Sequence, residues 1–330
     1  MQADMVFEGG GVKGIGLAGA FRELTDGGYQ PQCVAGTSAG AITAALVAVG
    51  YSGAELEDIV LHDMNFRNFK DRALLGPAGE LTEFARHRGM HSGEYFLDWM
   101  RERVDAKGVR TFGELRTPSA SPERQYRLQV ITSDLTGRRM LVLPRDAPHL
   151  GIDPDQLEIA EAVRMSMSIP VFFKPVVIVN PQSGNEHVLV DGGMLSNFPV
   201  WLFDTPKDTA PAFPTFGLLL VAPGQKAGLN PAPVPADQVA AIGSDAAFFE
   251  AMADTMMQAH DRFYMDQADY ARTIGIPTLG VRTTQFGITP AQATALFESG
   301  RNAAKQFLAD WDFRAYVERF RSPAPSGAPV

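Results

Sequence analysis

The first fifty residues constrain the fold more than any other part of the chain. A short apolar strand, Met5 to Glu8, runs into a glycine loop at Gly9 to Gly14, and apolar residues at helical spacing follow. A second strand, Gln32 to Gly36, leads into the turn Thr37 to Gly40 and a second apolar helix. Such a unit makes a parallel sheet with a right-handed crossover. Loops at the carboxyl ends of its strands lie along one edge, so we expect Ser38 and the glycine loop to be neighbours.

The rest of the chain continues this alternation. Further strands are predicted at Tyr126 to Thr132, Met140 to Leu143, Pro175 to Val179, His187 to Val190, Phe216 to Ala222 and Thr278 to Val281. Helices are predicted from Ser52, from Asp153 to Met167, through a long region ending near Asp269, and from Pro290 to Trp311. The expected fold class is α/β, with a mostly parallel central sheet flanked by helices.

Two segments depart from this pattern. Residues 65–125 carry many aromatic side chains and no strong strand pattern, and we predict a helical and loop-rich cover over the sheet. The tail, residues 322–330, is rich in Pro, Ser and Gly and is predicted to be disordered. Residues 1–321 are expected to form a single domain.

Composition excludes several classes of protein. The formal net charge of −9 and pI near 5.2 do not favour binding to a nucleic-acid backbone. No apolar run approaches the roughly 20 residues that a membrane-spanning helix needs, and the N-terminus has no signal-peptide pattern. With Cys33 as the single cysteine, no internal disulfide can form. A cytoplasmic protein is therefore expected, with any membrane contact made peripherally by apolar patches.

Gly36 to Gly40 reads GTSAG and matches G-x-S-x-G, the nucleophile turn of many hydrolases. In that turn the serine lies between a strand and a helix, where glycines permit a tight backbone. The positive end of the helix dipole then lies beside the hydroxyl. The position of Ser38 after a predicted strand favours a nucleophile over a structural turn.

The glycine loop has two interpretations. Gly9 to Gly14 fits G-x-G-x-x-G, which binds dinucleotides when an acidic residue ends the second strand. Here that position is taken by the Ser38 motif, which argues against a dinucleotide site. Consecutive glycines also leave backbone N–H groups open to a developing oxyanion, with Gly10 and Gly11 as candidate donors. Lys13 is predicted to support the loop.

A serine nucleophile needs a base. A Ser, Asp, His order requires a histidine after Asp191, and only His260 follows it, among Met and Phe residues that suggest packing. Asp191 could act as the base directly if it contacts Ser38, and Gly192 and Gly193 let the chain turn there. A simple turn after a strand is the alternative. The histidines show no metal-ligand spacing.

Taken together, EGGGVKG at Glu8 to Gly14, GTSAG, and DGG at Asp191 to Gly193 resemble the motifs of patatin-like phospholipases. The segments ITSDLTGR from Ile131, AVRMSMSIPVFFKPV from Ala162 and MLSNFPV from Met194 are also similar to that family. The resemblance implies a three-layer αβα fold and hydrolysis of lipid acyl esters with neither metal nor cofactor.

By motif, the resemblance makes Ser38 the nucleophile of a Ser-Asp dyad, Asp191 the base, and Gly10 and Gly11 the oxyanion donors. The expected partner is a lipid substrate, presented in solution or at a membrane surface, and the cover is expected to set head-group choice. Candidate residues for an apolar acyl channel, which core packing explains equally well, are Met165, Met167, Ile169, Phe172 and Phe173.

Two other functions stay open at this point. A lipid-binding or effector module could keep the fold without turnover, and a nucleotide-binding protein could use the glycine loop. The sequence does not indicate an oligomeric state.

Overall fold

The computed structural model describes residues 1–69, 89–119, 121–206, 209–222 and 265–321. The described strands are β1 (Gln2–Phe7), β2 (Gln30–Thr37), β3 (Gly89–His91), β4 (Leu128–Asp134), β5 (Arg139–Leu143), β6 (Val171–Phe173), β7 (Val176–Val179), β8 (Glu186–Asp191), β9 (Thr215–Val221) and β10 (Thr273–Pro277).

The described α-helices are α1 (Ile15–Asp26), α2 (Ala39–Ala48), α3 (Gly53–Asp58), α4 (Glu94–Asp105), α5 (Ile159–Ser166), α6 (Gln267–Ala271), α7 (Pro290–Asp310) and α8 (Phe313–Phe320). Short turns of 3-10 helix lie between them, including Gly11–Gly14 in the glycine loop and Gly192–Met194 after β8. None of the helices in the described ranges has the length and apolar character to cross a membrane.

The central sheet has the strand order β10-β9-β1-β2-β4-β8-β7, and β5 also pairs with β4. The strands from β10 to β4 are parallel, whereas β5, β8 and β7 join through antiparallel pairing. Helices pack against the sheet, so the predicted α/β fold with a mostly parallel sheet is confirmed. The antiparallel strands lie beside β4, at the end of the sheet that carries Asp191.

The alternation of side chains along β1 divides the core between two faces. Met5 and Phe7 point to the larger apolar cluster, which includes α1, α2, α5 and α7. Val6 points to the other face, where the segment from Phe198 to Phe203 covers the sheet. All three side chains are fully buried, as expected for a central strand covered on both faces.

Helices α1 and α7 approach each other closely through glycines. A Cβ at Gly300 would lie 1.9 Å from the Gly16 carbonyl oxygen, and one at Gly19 would lie 2.0 Å from the Phe297 carbonyl oxygen. Only hydrogen fits at these positions, so the two backbones can pack against each other without intervening side chains.

Two predicted elements differ from the structure. The last strand is Thr273–Pro277 rather than Thr278 to Val281, because β10 pairs in parallel with β9 and the chain then turns through Leu279 and Gly280 at positive φ. The helix predicted from Asp153 begins at Ile159. Residues before it form a turn in which the Asp155 N–H donates to the Asp153 carboxylate at 3.0 Å.

The predicted cover is described only in part. It contains α4, as expected for a helical segment, but also β3, which pairs with β6 in a separate two-stranded sheet that the sequence did not indicate. Residues 70–88, most of the long helical region with His260, and the tail from residue 322 lie outside the described residues.

We predict that Gly300→Ala lowers the free energy of unfolding by about 3 kcal/mol, because the new methyl group overlaps backbone atoms of α1. Gly287→Ala is the matched control, since a Cβ there meets no atom within 4 Å. The control should stay within about 0.5 kcal/mol of the wild type in urea denaturation. Equal stability of the two variants would show that α1 and α7 do not pack as described.

Candidate active site

The ends of β2 and β8 meet on one edge of β4. Thr37 pairs with Ile131, and Asp191 pairs with the next residue, Thr132. Because β5 occupies the opposite edge of β4 over the same residues, β2 and β8 must share an edge. The two strands therefore approach end to end, and Ser38, which follows Thr37, is brought to Asp191.

Ser38 occupies the sharp turn that the GTSAG motif predicts. It is the N-cap of α2, with φ at 53°, a conformation that costs energy for a residue other than glycine. Gly40 allows the turn, since a Cβ there would lie 2.1 Å from the Phe7 carbonyl oxygen. Gly36 has the same role, because its Cβ would lie 2.3 Å from the Gly40 carbonyl carbon. The Ser38 side chain is held at the carboxyl edge of the sheet and is 2% exposed.

Asp191 is fully buried at the end of β8. Burial raises the pKa of its carboxyl to about 7, against smaller lowering contributions from the Ser38 side chain and the Gly193 N–H. The Gly193 N–H donates to Oδ1 at 2.8 Å. Oδ2 has no hydrogen-bond partner among the described residues.

Gly192 fixes the register of this strand end. A Cβ at Gly192 would lie 2.3 Å from the Ile131 carbonyl oxygen. The base motif can therefore lie against β4 only with glycine at this position.

The glycine loop lies on both sides of the Ser38 turn. A Cβ at Gly9 would lie 3.1 Å from the Thr37 carbonyl oxygen, and one at Gly14 would lie 3.0 Å from Ala39 Cβ. The loop thus begins beside the residue before Ser38 and ends beside the residue after it, as its position in the sequence predicts.

Some backbone N–H groups of the glycine loop donate hydrogen bonds to other described residues, and others do not. The Gly9 N–H donates to the Asn197 carbonyl oxygen at 3.0 Å, and the Asn197 side-chain amide donates back to the Gly9 carbonyl oxygen at 3.1 Å. The Val12 N–H donates to the Thr283 carbonyl oxygen at 3.1 Å. Between these two anchors, the N–H groups of Gly10 and Gly11 donate to no other residue in the described part of the chain. They are the open donors of the loop.

Gly11 and Lys13 shape the loop in different ways. Gly11 has φ at +56°, and a Cβ there would lie 2.2 Å from the Thr283 carbonyl oxygen. The Lys13 N–H donates to the Gly10 carbonyl oxygen at 3.2 Å, so its backbone closes the 3-10 turn. The predicted supporting role of Lys13 stays a prediction.

No histidine takes part in the Ser38 and Asp191 pair within the described ranges. His187 instead contacts Asp134 at 2.8 Å as a buried pair. His62 Nδ1 lies 3.2 Å from the Asp58 carboxylate at an exposed position. His260, the triad candidate, lies outside the described residues. Nor do the described residues include a group of three or more His, Cys, Asp or Glu side chains that could hold a metal ion.

Several residues at the site had no predicted role. The Ser38 N–H donates to Ser166 Oγ at 2.9 Å, the Asp191 N–H donates to the Ser168 carbonyl oxygen at 2.9 Å, and Asn197 holds Gly9. All three residues fall in segments that resemble the family, but their contacts are long-range. The alternation of serine with buried methionine in MSMS, at Met165 to Ser168, is the signal that could have indicated Ser166 and Ser168, but it does not extend to Asn197.

The residues proposed for an acyl channel are mostly core. Met165, Met167, Ile169 and Phe173 are buried, and Phe172 stacks on Phe286 with ring centroids 4.8 Å apart. A cavity of about 210 Å³, lined by both apolar and polar side chains, lies beyond Phe286, between the 3-10 turn at Phe66 and the start of α7.

Comparison with known proteins agrees with this arrangement. The model of the family described as patatin-like phospholipase matches residues 5–204. The uncharacterized protein YqhO of Bacillus subtilis is 36% identical over 315 residues, covering 95% of this chain and 100% of YqhO. An uncharacterized NTE family protein of Mycobacterium bovis is 26% identical over 204 residues, which cover 59% of this chain and 27% of that protein.

Among solved structures, VipD from Legionella pneumophila aligns with a TM-score of 0.52 at 17% identity, over 93% of this chain and 66% of VipD. This likeness shows a shared fold. The family model covers more than half of the chain, and YqhO aligns along nearly all of it. The chain therefore belongs to the patatin-like phospholipase family.

Proposed function

We propose that this chain hydrolyses carboxylic esters of lipids, with Ser38 as the nucleophile and Asp191 as its base. The observation that carries the proposal is the end-to-end approach of β2 and β8 at consecutive residues of β4, Ile131 and Thr132. This pairing brings a strained serine and a buried carboxyl together, which a structural turn does not require. Family membership supplies the substrate class, an acyl ester of a lipid.

In the first half of the reaction, Asp191 accepts the proton of the Ser38 hydroxyl while the oxygen attacks the ester carbonyl carbon. The tetrahedral intermediate collapses, the carbon–oxygen bond to the alcohol breaks, and the proton passes from Asp191 to the leaving oxygen. In the second half, Asp191 takes a proton from water as the water attacks the acyl-enzyme. The fatty acid leaves and Ser38 recovers its proton.

The open N–H groups of Gly10 and Gly11 are suited to the negative oxygen that forms in both halves. The Ser38 N–H is not free for this purpose, because it already donates to Ser166. The donors must then come from elsewhere, and the loop that borders the Ser38 turn offers two. In other enzymes one such donor contributes roughly 3 kcal/mol to lowering the barrier.

The cavity beside Phe286 is the candidate place for the acyl chain. Thr283 holds the glycine loop through Val12, and Phe286, three residues later, lines the cavity. The lining also includes Val60, Leu61, Met64 and Ile288, which suit a hydrocarbon chain, together with the polar side chains of His62, Asn65 and Thr289.

Ser38→Ala and Asp191→Asn should each lower the rate of hydrolysis of a fluorogenic phospholipid by about 1000-fold or more, because each removes one of the two residues proposed to carry out the reaction. Ser183→Ala, on the exposed loop between β7 and β8, is the matched control and should retain wild-type activity. Among the wild type, Ser38→Ala and Asp191→Asn, only the wild type should form a covalent fluorophosphonate adduct at residue 38. Unchanged fatty-acid release in either dyad variant would refute the assignment.

The pH profile should report the ionisation of Asp191. The base acts only when deprotonated, and burial raises its pKa to about 7. Therefore kcat/KM should rise with pH up to about 7 and level off above it, with close to a tenfold loss per pH unit below. The measurement uses an ester without titratable groups. A profile that is flat from pH 5 to pH 8 would contradict Asp191 as the base.

The free energy of unfolding should depend on the same ionisation, but the Asp191 contribution to it should fall, not rise, as pH increases. The folded-state pKa of Asp191 lies above its ordinary value of 3.8, so its contribution is fully present below about pH 4 and is lost as pH rises through about 7. Asp191→Asn has no such titration. Its melting temperature relative to the wild type should therefore increase between pH 4 and pH 8, as measured by scanning calorimetry. A constant difference would mean that this carboxyl is solvated.

A further inference from the structure

The segment from Arg164 to Ser168, at the end of α5, makes hydrogen bonds to both residues of the dyad. Ser166 Oγ accepts the Ser38 N–H at 2.9 Å. Two residues later, the Ser168 carbonyl oxygen accepts the Asp191 N–H at 2.9 Å. Ser38 follows β2 and Asp191 ends β8, 153 residues apart in sequence, yet one short segment binds the backbone of each. We name residues 164–168 the dyad brace.

We propose that the dyad brace sets the distance between nucleophile and base, and that Ser166 is a positioning residue of the reaction. This inference rests on the proposed function of Ser38 and Asp191. Ser166 touches the backbone of Ser38 and not the reacting atoms, so it acts through the geometry of the turn.

The strain at Ser38 explains why the turn needs such a partner. Its φ of 53° is unfavourable, and conformations of this kind persist only when surrounding contacts hold them. The Ser38 N–H is also buried, and a buried donor without a partner destabilises the fold. The Ser166 hydroxyl satisfies this donor in the strained conformation and therefore favours it over relaxed alternatives.

Packing alone does not explain a serine at this position. Ser166 is fully buried, and the residues on either side of it, Met165 and Met167, belong to the apolar core. An alanine would fill almost the same space without a polar atom. The hydroxyl is distinguished by its hydrogen bond to Ser38.

Arg164 connects the brace to the cover. Its guanidinium donates to Ser168 Oγ, to the Ser92 carbonyl oxygen at 2.6 Å and to the Lys174 carbonyl oxygen at 2.9 Å. Ser92 lies immediately before the N-cap of α4. Arg164 is 6% exposed and also lies over the Phe173 ring. The brace is thus fixed at one end to the cover and at the other to the two strands that carry the dyad.

Replacement of the Ser166 hydroxyl tests the proposal. Ser166→Ala should lower kcat by about 10- to 100-fold with KM within twofold of wild type, because small displacements of a reacting group have effects of this size. The rate of fluorophosphonate addition to Ser38 should fall by the same factor. Ser166→Cys should be intermediate, since a sulfur atom is a weaker acceptor.

Thr273→Val is the matched control. Thr273 is a buried hydroxyl that donates to the Asp269 carbonyl oxygen at 2.6 Å, at the start of β10 and thus at the amino end of the sheet. The control should lose stability in urea as Ser166→Ala does, while its kcat and labelling rate stay at wild-type values. A kcat that decreases from Ser to Cys to Ala at position 166, while KM stays constant, is a result that general destabilisation does not produce.

The possible failures are distinct. If the wild type is active and Ser166→Ala keeps its kcat within twofold, the positioning role is wrong and the proposed function stands. If the wild type neither releases fatty acid nor reacts with the fluorophosphonate, the proposed function fails and this inference fails with it. Should Ser166→Ala not fold, the Cys variant decides: kcat equal to that of the Thr273→Val control overturns the proposal, and a lower kcat supports it.

Discussion

The meeting of β2 and β8 on a single edge of β4 is the constraint from which the candidate site follows. Each strand ends where the other ends, because β4 offers Ile131 to one and Thr132 to the other. A shift of one residue in the pairing of β8 would turn the Asp191 side chain to the opposite face of the sheet. The glycines at positions 36, 40 and 192 keep this arrangement, since any side chain there would push one strand or helix away from its neighbour.

Burial of Asp191 places two demands on the same carboxyl. The fold brings it out of water and raises its pKa to about 7, which favours the neutral form. A general base must be ionised, yet a pKa near the working pH also makes proton transfer more effective. The N–H bond from Gly193 to Oδ1 offsets part of the cost of burial, whereas Oδ2 has no hydrogen-bond partner among the described residues.

The sequence predicted the parts of the site that depend on neighbouring residues. A strand, a glycine run and a helix follow one another at Met5 to Leu24, so the loop and the Ser38 turn could be located from local pattern and glycine content. The antiparallel approach of β8 could not be predicted, because its pairing depends on which edge of β4 remains open. Ser166 and Asn197 were missed for the same reason: their partners lie 128 and 188 residues away. The strand predicted at Thr278 to Val281 lies instead directly before that segment, at Thr273–Pro277, since pairing with β9 outweighed local preference.

The folded sheet extends beyond the segment that matches the family model, because β9 lies outside that segment. The family match ends at residue 204, but β9 begins at Thr215 and pairs with β1 in the middle of the sheet. Its Leu220 N–H donates to the Glu8 carboxylate at 2.5 Å, directly before the glycine loop. A fragment cut at the end of the signature would keep the pairing of β1 with β2 but would leave the other edge of β1, from Asp4 to Phe7, unpaired and prone to pairing with other chains. The recognisable half of the protein thus depends on a segment that carries none of its motifs.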